Sequence, residues 1–232
     1  MAISAATLLD IWEAGAAQPP LARVLALLAP LFPEIAVAEL PVGARDGLLL
    51  LVREWLFGAQ MECVAVCPAC ATRLEFSLAT TALRALAPAT VVQSLDVGGQ
   101  QLAFRLPASA DLLGLPPGPA ATRRLIERCL IDAPAMLSDE ALAAVATAMA
   151  NADPLLDLRI ELACPDCSHS WAAPFDVAGF VWQELERWAR RLLRDVHTLA
   201  RAYGWRESEI LALSPQRRAL YLQMVNDERS AG

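Results

Sequence analysis

The chain has 232 residues, 56% of them hydrophobic, with a mean hydropathy of +0.39 and a net charge of −7. That length can bury a real core, and much of the apolar excess is Ala and Leu, which favours helices. The acidic balance speaks against a general nucleic-acid binder, and the run LLLLV at 48–52 is far too short to span a membrane. The start, MAISAATLLDIWEAG, has neither a basic n-region nor a continuous apolar stretch, so it does not read as a secretory signal. A cytosolic location is the resulting expectation. All 19 basic side chains are Arg, and nine of them fall in 182–232.

The first sixty residues predict helices. SAATLLDIWEAG is capped by Ser4 and stops at Gly15; PPLARVLALLAP is a short helix between prolines. LPVGARDGLLLLVREWLFG is a third, closing at Gly58, with its first turns weakened by Gly43 and Gly47. The period then changes. MECVAVCPACATRLEFSLA gives strand, cysteine turn and strand, with Leu74, Phe76 and Leu78 alternating against Arg73, Glu75 and Ser77. At 91–106 Gly98-Gly99 separates two strand-like runs, a type I′ hairpin signal.

Helical segments follow at SADLLGL, PAATRRLIERCLI and SDEALAAVATAMANAD, the last capped by Ser138, with LPPGP at 115–119 a loop. Leu158, Ile160 and Leu162 restore strand alternation before CPDC, and SHSWAAPFDV continues as a second extended segment. From Leu185 through Trp188, Ala189, Leu192, Leu193, Val196, Leu199 and Ala200 to Tyr203, apolar side chains form one helical face, with Gly204 as its stop. WRESEILAL and SPQRRALYLQMVNDER are two further helices, the second with Ser214 as N-cap and Pro215 at its first position.

These elements predict an α+β, helix-rich protein in three regions. Residues 1–60 form an N-terminal helical region. Residues 61–181 carry two CPxC hairpins in a zinc-ribbon-like arrangement around an inserted α+β region at about 80–156, and 182–232 form a C-terminal helical region.

The cysteines carry the chemistry. CPAC at 67–70 and CPDC at 164–167 each supply two thiols on a tight turn, and zinc takes four soft ligands in a tetrahedron. Cys67, Cys70, Cys164 and Cys167 are therefore the expected ligands of one structural Zn2+. The long separation between the pairs costs little extra loop entropy. A redox pair would need its first thiol at a helix N-terminus, whereas strand-period segments follow both turns. Reduced structural cysteines are the remaining alternative. Cys63 is a candidate substitute ligand, Cys129 an ordinary core residue, and His169 a surface histidine beside an already complete ligand set.

Nothing in the sequence marks a catalytic residue: G-x-S-x-G, P-loop, H-E-x-x-H and G-x-G-x-x-G motifs are all missing. His197 lies on the polar shoulder of its helix without a suitable partner. The C-terminal helices could be read as a helix-turn-helix carrying Arg217 and Arg218. Glu207, Glu209, Asp227 and Glu228 surround them, which favours a helical hairpin packed on the core with solvated arginines.

Several stretches together resemble a baseplate protein family of contractile phage tails and phage-tail-like contractile injection systems. They are LLDIWEAG, FRLPASADLLGL, the two CPxC hairpins and FDVAGFVWQELERWARRLLRDVHTLARAYGWRESEILALSPQRRALYLQMV. The most specific part is His197, Ala200, Tyr203, Trp205, Glu209-Ile210-Leu211, Leu213 and Arg217-Arg218. Members of that family are related to baseplate hub components, or hub assembly chaperones, of T4-type phages. The resemblance implies a non-enzymatic protein of the bacterial cytoplasm whose partners are other baseplate or hub proteins. It would either enter the particle as a structural component or act as an assembly chaperone. It implies no small-molecule substrate. A zinc-ribbon regulatory protein binding nucleic acid through the C-terminal helices stays open as the alternative.

Overall fold

The computed structural model describes residues 3–88, 90–116, 118, 120–131 and 137–231. Pro117 and Pro119 of the expected 115–119 loop lie outside them. In chain order the elements are α1 (Ala5–Ala16), α2 (Pro20–Leu28), α3 (Val42–Phe57), β1 (Gln60–Val66), β2 (Arg73–Ala79) and α4 (Thr80–Arg84). Then come β3 (Val92–Val97), β4 (Gln100–Arg105), α5 (Ser109–Leu112), α6 (Ala120–Cys129) and α7 (Asp139–Ala152). The chain closes with β5 (Arg159–Ala163), β6 (Ser170–Pro174), α8 (Val177–Tyr203), α9 (Glu207–Leu211) and α10 (Pro215–Ala231). The protein is thus helix-rich α+β. Its contacts divide it into two compact units, Met1–Leu27 with Gly179–Gly232, and Leu28–Ala178.

The first unit is helical and organised on α8. The apolar stripe puts Leu185, Ala189, Leu192, Val196 and Leu199 inside, while Leu193 is partly exposed. Against the stripe, Leu9 of α1 packs with Ala189 and Leu192, and Ile210 and Val225 pack with Val196 and Leu199. Three caps read from the sequence are present. Ser4 accepts from the Thr7 amide at 3.0 Å, Ser214 accepts from the Arg217 amide at 3.2 Å, and Gly204 follows α8 with φ of 68°. Two boundaries differ: α1 continues through Gly15 to Ala16, and α8 begins at Val177 rather than near 182. One detail of the tail is also corrected. Arg217 is exposed, but Arg218 is buried with Nε 3.7 Å from Asp195 Oδ2, so it is not a solvated arginine.

The second unit is built on α3, whose Leu49, Leu50 and Val52 are fully buried. Its N-cap residue, Pro41, offers no capping side chain, and the first-turn amides need an acceptor. Asp153, just past α7, supplies it: its Oδ2 accepts from the Gly43 amide at 2.8 Å across 110 residues of chain. A Cβ on Gly43 would sit 1.9 Å from Asp153 Oδ1. The glycine that weakens the helix locally is therefore what admits its cap. Asp153 is fully buried, and burial raises its pKa against the opposing pull of the Gly43, Leu155 and Leu156 amides.

Among the described residues three antiparallel hairpins, β1–β2, β3–β4 and β5–β6, form three separate two-stranded sheets. The middle one packs Leu102 and Phe104 with Ile126 of α6 and with Val145 and Met149 of α7, which gives the inserted region its own core. The outer two carry the cysteine turns. In β1–β2, Met61 faces Leu78 and Cys63 faces Phe76; in β5–β6, Leu162 faces Trp171. α4, absent from the sequence expectations, follows β2 directly and is tied to α3 by Arg84 and Glu54 at 3.2 Å.

Candidate metal centre

Each CPxC turn is held by the same pair of backbone hydrogen bonds. The Cys67 amide donates to the Thr72 carbonyl at 2.9 Å, and the Ala71 amide donates back to the Cys67 carbonyl at 2.9 Å. In the second turn the Cys164 amide donates to His169 at 2.9 Å and the Ser168 amide to Cys164 at 3.0 Å. The residue after each second cysteine takes a left-handed conformation, with φ of 62° at Ala71 and 58° at Ser168. Two segments of unlike sequence have thus closed into one turn geometry, and each presents its two sulfurs to the same side.

The turns meet. The sulfurs of Cys67, Cys70, Cys164 and Cys167 all lie within 4.8 Å of one another. Across the two turns Cys67 and Cys167 are 3.7 Å apart, and Cys70 and Cys164 3.5 Å. A regular tetrahedron of thiolates about an ion with 2.3 Å bonds has sulfur–sulfur edges of about 3.8 Å. The cluster is therefore capable of holding a metal ion, and its cysteines are unbridged. Cys67 and Cys164 are buried, while Cys70 and Cys167 face solvent.

A polar clasp lies beside the sulfurs. Thr72 Oγ1 donates to Asp166 Oδ2 at 2.7 Å, joining the first turn to the second, and Thr72 Oγ1 lies 3.3 Å from Cys70 Sγ. The Cys70 thiol is pulled down to about 6, chiefly by its hydrogen bonding with Thr72, side chain first and then backbone. The His169 backbone hydrogen bond pulls Cys167 the same way, yet its contacts with the neighbouring sulfurs, Cys70 first, push it up to about 12. Cys70 and Cys167 are thus shifted in opposite directions by their neighbours. A bound cation removes that conflict, because it stabilises every thiolate at once.

The remaining candidates fall outside this centre. Cys63 is buried in β1 with Sγ 3.6 Å from the Met61 carbonyl. Cys129 lies in the core of the inserted region, its thiol pushed up to about 11 by burial and then by Asp111. His169 is exposed and stacks on Trp171 at 6.0 Å, and His197 is exposed on α8. The strands that follow both turns leave out the helix N-terminus a redox thiol uses. Thr72 and Asp166 were not singled out from the sequence. The available signal was a polar side chain at the third position of CPDC and another two residues beyond CPAC.

Much of the tail that carries the family resemblance is internal packing. Tyr203 and Trp205 stack at 4.6 Å, and Tyr221 meets the Trp205 ring edge-on at 4.9 Å. Ile210 is fully buried beneath them. Comparison with protein-family models, curated proteins and solved structures finds no match. Among the described residues no helix is long and apolar enough to cross a membrane.

Proposed function

We propose that this chain is a non-enzymatic structural component of the baseplate of a contractile phage-tail-like particle. It works by binding other baseplate or hub proteins, and a structural zinc held by Cys67, Cys70, Cys164 and Cys167 fixes its fold. The observation that carries the zinc reading is the convergence of four sulfurs at tetrahedral spacing. Four protein ligands fill the coordination shell, which is the pattern of structural rather than catalytic zinc. When bound, the ion neutralises the thiolates and joins two hairpins whose cysteines Cys70 and Cys164 are 94 residues apart. The baseplate reading is supported by the sequence resemblance, densest in the stretch that forms the end of α8, α9 and α10.

The regulatory alternative loses ground on one observation. It needs Arg217 and Arg218 free to meet phosphate or bases, and Arg218 is buried beside Asp195. Mass spectrometry of purified particles, beside the lysate of the same cells, tests the proposal and separates its two forms. Stoichiometric presence in particles is expected. Presence in the lysate alone would make the protein an assembly chaperone. A deletion strain that still builds full-length contractile particles would reject both.

A further inference from the structure

Within the helical unit, α1, α8 and α9 enclose a groove of about 700 Å³. Its apolar floor is Leu9, Trp12, Leu193 and Leu211, and Leu193 is 39% exposed. Its rim carries three carboxylates, Asp10, Glu13 and Glu207, against a single guanidinium, Arg206. On the same unit α10 buries Val225 but turns Leu220 and Met224 outward, 54% and 52% exposed. These two lie four positions apart, so they share one helical face. Arg217 stands one turn before Leu220 and Asp227 one turn after Met224, both exposed. The α10 face is therefore basic at one end, apolar in the middle and acidic at the other.

We propose that the groove is an interaction surface for a second copy of this chain, whose α10 lays Leu220 and Met224 onto the Leu9/Trp12/Leu193/Leu211 floor. Three observations favour this occupant. A helix with two apolar anchors at i and i+4 is what a groove between helices accepts. The charges complement each other: Arg217 finds the carboxylates of Asp10, Glu13 or Glu207, and Asp227 finds Arg206. Both surfaces are on every copy, so neither needs another protein to be satisfied. Groove and helix are different patches, which makes each contact heterologous. Such contacts close into a ring or a reciprocal pair, or else propagate. The proposal does not depend on the baseplate reading.

Sedimentation of the purified full-length protein over a range of concentrations tests it. Self-association is expected, weakened about tenfold or more by Leu193→Asp in the groove or Leu220→Asp on α10. Both positions are already exposed, so circular dichroism should show each variant folded; if either is not, Glu207→Arg and Arg217→Glu test the same two surfaces. The decisive arm mixes the groove variant with the α10 variant. Each keeps one intact half of the contact, so the mixture should form a one-to-one heterodimer that neither forms alone. A wild-type chain that stays monomeric at every concentration overturns the proposal. So does self-association that survives both variants, or a mixture that recovers nothing.

Discussion

Thr72 Oγ1 donates a 2.7 Å hydrogen bond to Asp166 Oδ2, tying together two turns whose partners stand 94 positions apart in the chain. The bond is exposed, and it sits beside four sulfurs that would carry the greater part of the junction. Thr72→Val should therefore leave the metal in place and lower stability by about 1 kcal/mol, read by chemical denaturation. Unchanged stability, or loss of the metal, would contradict this role.

Ala71 and Ser168 occupy equivalent left-handed positions, φ 62° and 58°. An L side chain there is strained by about 1 kcal/mol, and glycine removes the strain at some cost in chain entropy. Ala71→Gly and Ser168→Gly should each be neutral or stabilising by up to about 1 kcal/mol, with metal content unchanged. A marked loss of melting temperature in either would count against the turn geometry.

Leu192 and Leu193 are neighbours with opposite fates, 2% and 39% exposed. Leu192→Asp buries a carboxylate beside Leu9 and Ala189, and should cost several kcal/mol or abolish soluble expression. Leu193→Asp should leave the fold intact. Equal tolerance of both would mean that the α8 face is misplaced.

Asp46 offers a test by pH. Burial raises its carboxyl from 3.8 to about 6, against Arg45 and with some help from Asp176 and Asp153. The folded state thus holds this proton more tightly than the unfolded state does. The contribution is complete below about pH 4 and is lost as pH rises through about 6, on the order of 3 kcal/mol. Asp111 has the opposite sign, since its hydrogen bond with Arg105 lowers its pKa. Comparing wild type with Asp46→Asn at each pH cancels such other groups. The variant should gain relative stability between pH 4 and 7. A difference flat with pH would show that Asp46 is not desolvated as described.

Gly43→Ala should cost about 2 kcal/mol or more, because the new Cβ meets Asp153 Oδ1 and dislodges the cap of α3. That pair also marks the limit of what the sequence discloses. Hairpins, caps and the α8 stripe follow from local periodicity and turn chemistry, so Ser4, Ser138, Ser214, Gly98-Gly99 and the two CPxC turns were legible. Gly43 reads locally as a weak helix start, and nothing near it announces that Asp153 will cap it. The same reason hid the grouping of α1 with the C-terminal helices, the burial of Arg218 and the Thr72–Asp166 clasp. Each depends on a partner in another element of the chain. The four cysteines were legible despite equal distance because their shared chemistry implies that they meet.

Zinc-edge X-ray absorption on the purified protein, with metal content measured on the same sample, tests whether the four cysteines hold zinc. One zinc per chain with four sulfur neighbours at about 2.3 Å is expected, lost together in both Cys67→Ser and Cys164→Ser. Protein prepared under reducing, zinc-sufficient conditions that binds no stoichiometric metal would contradict it. So would zinc retained unchanged when either cysteine is replaced.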